Sequence, residues 1–191
     1  MLDKKYINKI KQELADFSSI RREVIKETGD ALQFSKRAIF AMHRDNLEEA
    51  KEKLNEAEKI FVGLNSKYKS NNRLQSEGSY LAGLEEFVEA TLFYQFLTSG
   101  KISEIKKTFR ISAESYVAGI CDVPGEMYRY AIKSATNRDV VMVKKCSSVA
   151  QEIVGELIEF NLTSYLRTKF DQAKGAVHKL EEITYQISMK E

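Results

Sequence analysis

The stretch LEEFVEATLFYQF, Leu84 to Phe96, decides how this chain folds. On a helical wheel Leu81, Leu84, Val88 and Leu92 form one apolar stripe, Phe87 and Tyr94 line the far side, and Ala82, Phe93 and Phe96 fill most of the rest. A helix that is apolar all round is a buried helix. Glu86 and Glu89, one turn apart on it, therefore sit where a carboxylate is costly unless something pairs with it. A second stretch, GICDVPGEMYR from Gly119 to Arg129, repeats the anomaly, with Asp122 and Glu126 at i, i+4 on one face. Four carboxylates on two apolar helices, with few cations beside them in sequence, point to a hard divalent metal.

Outward from these stretches the whole chain reads as helix. From about Asp3 to His43 a heptad-like seam runs through Ile7, Ile10, Leu14, Phe17, Val24, Ala31, Ala38 and Met42, and Arg21 falls where an apolar residue is due. Asn46 with Glu49 three residues on is a capping box for a second helix with apolar face Leu47, Ala50, Leu54, Ala57, Phe61 and Val62, ending near Leu64. SKYKSNN reads as a solvated loop. The third helix is expected from about Arg73 to Leu97, stopping at Ser99-Gly100, followed by a short helical piece near Ser103 to Phe109. The fourth starts after Ser112 and runs to about Ala135 with Pro124, the single proline, in its middle, where it removes a hydrogen bond and favours a kink between Asp122 and Glu126. The fifth spans about Asp139 to Phe160, and the sixth runs from Thr163 or Ser164 nearly to Met189. Strand-type alternation, repeats and low-complexity tracts do not appear. The expectation is an all-α bundle, one domain over residues 1–191.

Composition bounds the function. With nine Gly and one Pro in 191 residues, turns are few and helices long. A net charge of +2 means that any nucleic-acid surface must be a local concentration of basic residues. Cys121 and Cys146 have no metal or redox spacing and read as small buried residues of a reducing compartment. No apolar run approaches the ~18 residues that span a membrane, and MLDKKYINKIKQ is unlike a signal peptide. A cytoplasmic protein is expected.

A carboxylate-only set suits Mg²⁺ or Mn²⁺ rather than zinc. A di-iron bundle needs Glu-x-x-His pairs, but His43 is preceded at that spacing by Phe40 and His178 by Gly175. Glu85-Glu86-x-x-Glu89 is similar to a motif of all-α nucleotide pyrophosphohydrolases, but their downstream Glu-x-x-Asp does not follow it. Nucleophile elbows and phosphate-cradling Gly-rich loops are absent. Pattern alone leaves two readings of the acids open: a metal site, or ion pairs with Arg or Lys of a neighbouring subunit. The basic candidates are Arg21, Arg22, Lys36, Arg37, Arg129 and Lys133; Arg129 and Lys133 extend the face of Asp122 and Glu126 by one and two turns, so a phosphate held by them would pass over a metal held by the acids.

SKRAIFAMHR (Ser35 to Arg44), EFVEATLFYQF, GICDVPGEMYR with AIKSATNRD (Ala131 to Asp139), and HKLEEITYQIS (His178 to Ser188) together resemble the translin superfamily, in its order and over most of the chain. The likeness is closer to the translin-associated factor X branch, whose catalytic Glu-x-x-Glu and Asp-x-x-x-Glu stand here as Glu86, Glu89, Asp122 and Glu126; translin proper lacks the aspartate. Without the longer insertions and tail of eukaryotic relatives, the chain resembles a minimal form of the archaeal kind. The resemblance implies an all-α subunit of about seven helices assembling into a hollow homo-oligomer, an octamer, and a Mg²⁺-dependent (or Mn²⁺-dependent) endoribonuclease acting on single-stranded or nicked RNA inside the shell. Glu86, Glu89 and Asp122 would ligate the ion, with Glu126 a fourth ligand or holding a water. Arg21, Lys36, Arg37, Arg129 and Lys133 would bind nucleic acid. The alternatives are a non-catalytic translin-like shell that binds RNA or DNA, and an all-α nucleotide pyrophosphohydrolase.

Overall fold

The computed structural model describes residues 2–68 and 77–189. Among the described residues there are six helices: α1 Lys4–His43, α2 Leu47–Lys67, α3 Gly78–Ser99, α4 Ala113–Thr136, α5 Val140–Leu157 and α6 Ser164–Ser188. No strand occurs among the described residues.

The ends follow local chemistry. Asp3 caps α1 by accepting from the backbone N–H of Lys5 and Tyr6, Asn46 caps α2 through Glu49, Ser112 caps α4 through Ser115, and Asp139 caps α5 through Met142. Gly100 closes α3 in the left-handed region at φ 73°. Pro124 is buried within α4, which runs on through it. The second helix outlasts its expected end by a turn. The expected start of the third near Arg73 lies outside the described residues, as does most of the expected loop before it.

One element is corrected. The segment 103–109, expected as a short helix, is not helical. Its side chains are spent on long-range contacts: Phe109 is buried and packs its ring 5.4 Å from Phe61 and 5.8 Å from Phe87. The Lys107 ammonium lies 2.5 Å from Glu58, and Gln95 Oε1 accepts from the Ser103 N–H at 2.9 Å. Such anchoring outweighs weak local helix preference.

Helix α1 packs on α2 and α3, α3 on α4, and α4 on α5 and α6, so α3 and α4 form the middle of the stack. Phe87, Val88, Leu92, Phe93, Phe96, Val123 and Met127 are fully enclosed in one continuous core. The two central helices approach closely at Gly119: a Cβ there would stand 2.7 Å from the Glu85 carbonyl oxygen and from Val88. Only glycine permits that approach, and it brings the acid-bearing turns of the two helices side by side. At the other extreme, the first three turns of α1 are largely exposed. Ile7 and Leu14 of the expected seam are exposed, whereas Val24, Ala31, Ala38 and Met42 are buried. Among the described residues, no helix is long and apolar enough to cross a membrane.

Candidate acidic site between the central helices

Glu86 and Glu89 from α3 and Asp122 and Glu126 from α4 lie in one region. They are near enough that Asp122, Glu86 and Glu126 each disfavour ionisation of Glu89. Glu89 is the deepest, 8 % exposed. Burial first, and then those three negative neighbours, push its carboxyl up to about 9. Among the described residues it makes no side-chain hydrogen bond and no ion pair.

The other three acids have partners. Lys36 of α1 lies 3.9 Å from Glu86, whose carboxyl is still raised, because burial outweighs that distant ammonium. Asp122 is bonded to the Lys169 ammonium of α6; burial nevertheless leaves it above its ordinary value. Burial would also raise Glu126. The hydrogen bond with His43 Nε2 and the charge of Arg129, 3.0 Å away, together outweigh that and hold it below the usual range.

Lys169 and His43 are the residues that sequence reasoning missed. The Lys169 ammonium also reaches Glu85 at 3.6 Å, and Tyr165 Oη donates to the same Glu85 oxygen at 2.7 Å. His43 ends α1 against Phe93 and Tyr130, with ring centroids 5.5 and 6.1 Å away. A signal for Lys169 existed: it stands one turn before Ala173, Val177 and Leu180 on the buried stripe of α6. His43 carried no such signal.

The proposed cations divide. Lys36 and Arg129 border the acids directly. Lys133 donates to the His43 carbonyl at 2.8 Å and pairs with Asp45 at 2.5 Å, so it fixes the corner where α1 ends. Arg37 lies over Phe34, 6.0 Å from its centroid. Arg21 is further off: it makes a two-pronged pair with Glu77, 2.8 and 2.7 Å, and at 1.5 Å per residue it lies about 22 Å along α1 from Lys36.

The donor set suits a hard divalent cation. The four neighbouring acids are all carboxyls, and among the described residues Glu89 has no hydrogen-bond donor of its own. Cys121, beside Asp122, is no competitor, since burial raises its thiol to about 11. Yet among the described residues no three His, Cys, Asp or Glu side chains stand close enough together to hold a metal ion. Asp122 is drawn to Lys169, and Glu126 to His43 and Arg129.

The model of the Translin family matches residues 19–191. The chain belongs to the Translin family. An uncharacterised protein of Methanocaldococcus jannaschii is 28% identical over 174 residues, 87% of this chain and 75% of the relative. The translin-associated protein X homologue of Schizosaccharomyces pombe is 25% identical over 202 residues, 90% of this chain and 82% of that one. Among solved structures, apo-NeC3PO superposes with a TM-score of 0.85 at 22% identity, covering 97% of this chain and 98% of the other. The AfC3PO–duplex RNA complex gives 0.83 at 23%, covering 97% of both chains. The translin-like all-α fold expected from the sequence is therefore the fold of this family member. The resemblance led to about seven helices, and six are seen among the described residues.

Proposed function

We propose that this Translin-family chain assembles into a closed homo-oligomer, an octamer, that encloses single-stranded or nicked RNA and hydrolyses its phosphodiester bonds with Mg²⁺ or Mn²⁺. The observation that carries the proposal is Glu89, a buried acid that among the described residues has no hydrogen-bond donor and only the weak opposing charge of Lys169, with Glu86 beside it on α3 and Asp122 and Glu126 across the Gly119 contact. Uncompensated burial of an acid is expensive, and a shared divalent ion is the compensation that all four acids could use.

Glu86, Glu89 and Asp122 would hold the ion. Glu126 is either a fourth ligand or the acceptor that orients the attacking water, and its bond to His43 fixes the carboxylate for either task. A bound divalent ion supplies charge neutralisation at the phosphate and acidifies a water. Lys36 and Arg129, on the rim of the acids, would hold the backbone of the strand. Contacts of that kind position RNA without reading bases, so sequence preference is weak. RNA as ligand is supported by the related AfC3PO, solved with duplex RNA. Assembly is supported by Ile7 and Leu14 at the start of α1, which a single subunit leaves exposed.

A second reading, a nucleic-acid-binding shell without catalysis and with DNA as a further ligand, is favoured by one observation: Asp122 and Glu126 already have cationic partners within the subunit. Membership of the Translin family weighs against the nucleotide pyrophosphohydrolase alternative. Incubation with end-labelled single-stranded RNA, with Mg²⁺ and with EDTA, separates the first two. Mg²⁺-dependent cleavage supports the nuclease, and binding without cleavage supports the shell. A monomeric mass by light scattering at micromolar concentration would refute assembly.

A further inference from the structure

Lys169 is the one cation from α6 that reaches the acids. Its side chain is 14 % exposed, its ammonium bonds Asp122 and lies 3.6 Å from Glu85, and its position belongs to a stripe otherwise filled by Ala173, Val177 and Leu180. A lysine on a buried stripe is costly unless it is paired. Here it supplies the positive charge that the acid cluster needs when no metal is present. It also explains why the four acids do not converge, since Asp122 is turned toward the ammonium.

We propose that Lys169 is a resident counter-cation that a divalent ion must displace from Asp122, so that metal binding is an exchange of one cation for another. This rests on the metal-site reading of Glu86, Glu89 and Asp122. The lysine has a way out: its four-carbon stem is flexible, and the Tyr165 ring, 5.3 Å from the ammonium, is 55 % exposed and can carry the charge toward solvent. Lys169 is thus a positioning residue. It keeps the acids from repelling one another in the metal-free protein and sets how tightly the ion is held.

The experiment measures free Mn²⁺ by electron paramagnetic resonance during titration of the wild type, Lys169→Met, Lys169→Arg and Asp122→Asn, all RNA-free. Removing the competing charge should tighten Mn²⁺ binding in Lys169→Met about tenfold, a usual size for coupling between two sites. Lys169→Arg should bind no more tightly than wild type, and Asp122→Asn should lose the site. A merely structural lysine would lower the melting temperature in Lys169→Met and leave Mn²⁺ affinity equal or weaker, and that result overturns the exchange. Should Lys169→Met fail to fold, amine-reactive labelling of the wild type read by mass spectrometry decides: Lys169 should become several-fold more reactive on adding Mn²⁺, and unchanged reactivity overturns the proposal. Binding in the wild type that is lost in Asp122→Asn upholds the metal site independently, so failure of the exchange alone is recognisable. Absence of Mn²⁺ binding in all four proteins overturns both.

Discussion

Replacing Glu89 with Gln should make the metal-free protein more stable at neutral pH, against the usual effect of altering a buried residue. The Glu89 carboxyl is raised from 4.5 to about 9 in the fold, so between these values the folded chain holds a proton that the unfolded chain has released. Stability is then greatest below pH 4.5 and falls as pH rises toward 9, by about 1.4 kcal/mol per unit. At pH 7.5 the accumulated loss is about 4 kcal/mol. Gln is neutral throughout and escapes it, although its amide brings N–H donors that must find partners. The net gain expected in EDTA at pH 7.5 is therefore about 2–4 kcal/mol, or about 5–15 °C in melting temperature for a chain of this size. Thermal melts of both proteins from pH 5 to pH 8, at equal concentration, should nearly converge at the acid end and diverge as pH rises. Mg²⁺ should restore the wild type at pH 8 and do little for Glu89→Gln. Parallel pH curves, or a less stable variant at pH 8, would refute the reasoning and mean that Glu89 has a partner in the assembled protein.

Gly119→Ala should separate α3 from α4, because its methyl group would stand 2.7 Å from backbone and side-chain atoms of α3; a loss of about 1–3 kcal/mol is expected in denaturant titration, with RNA cleavage falling as the acids move apart. Lys36→Ala and Arg129→Ala should each weaken RNA binding alike across sequences and reduce the salt slope of log K by about one. Arg21→Ala should weaken it less, since Arg21 pairs with Glu77 about 22 Å along α1 from Lys36; a larger loss in fluorescence anisotropy for Arg21→Ala than for Arg129→Ala would contradict this.

Much of the molecule could be read from sequence because its signals were local. Asn46, Ser112 and Gly100 mark helix ends by their own chemistry, and the apolar surround of Glu86 and Glu89 announced a buried helix carrying acids. The errors and gaps arose where distant residues decide. The segment 103–109 is held out of helical form by Phe61, Phe87 and Glu58, none of which is near it in sequence. Likewise the partners of the acids come from elsewhere: Lys169 stands 47 residues from Asp122, and His43 stands 83 from Glu126. Neither pair leaves a periodic trace. The α6 stripe hinted that Lys169 was buried, but only the fold disclosed what it met. For α1, the heptad pattern was correct as a pattern, yet the subunit buries only its second half.

The most direct test of the central claim measures RNA cleavage and oligomer mass together on Glu86→Gln, Glu89→Gln and Asp122→Asn. A shared divalent ion predicts that each substitution abolishes Mg²⁺-dependent cleavage of labelled single-stranded RNA while oligomer mass and RNA affinity stay near wild type. Acids that serve only as structural ion pairs predict the reverse: Asp122→Asn would strand the Lys169 ammonium at about 3–5 kcal/mol and loosen the assembly with no specific effect on cleavage. Nuclease activity retained in all three proteins would contradict the account.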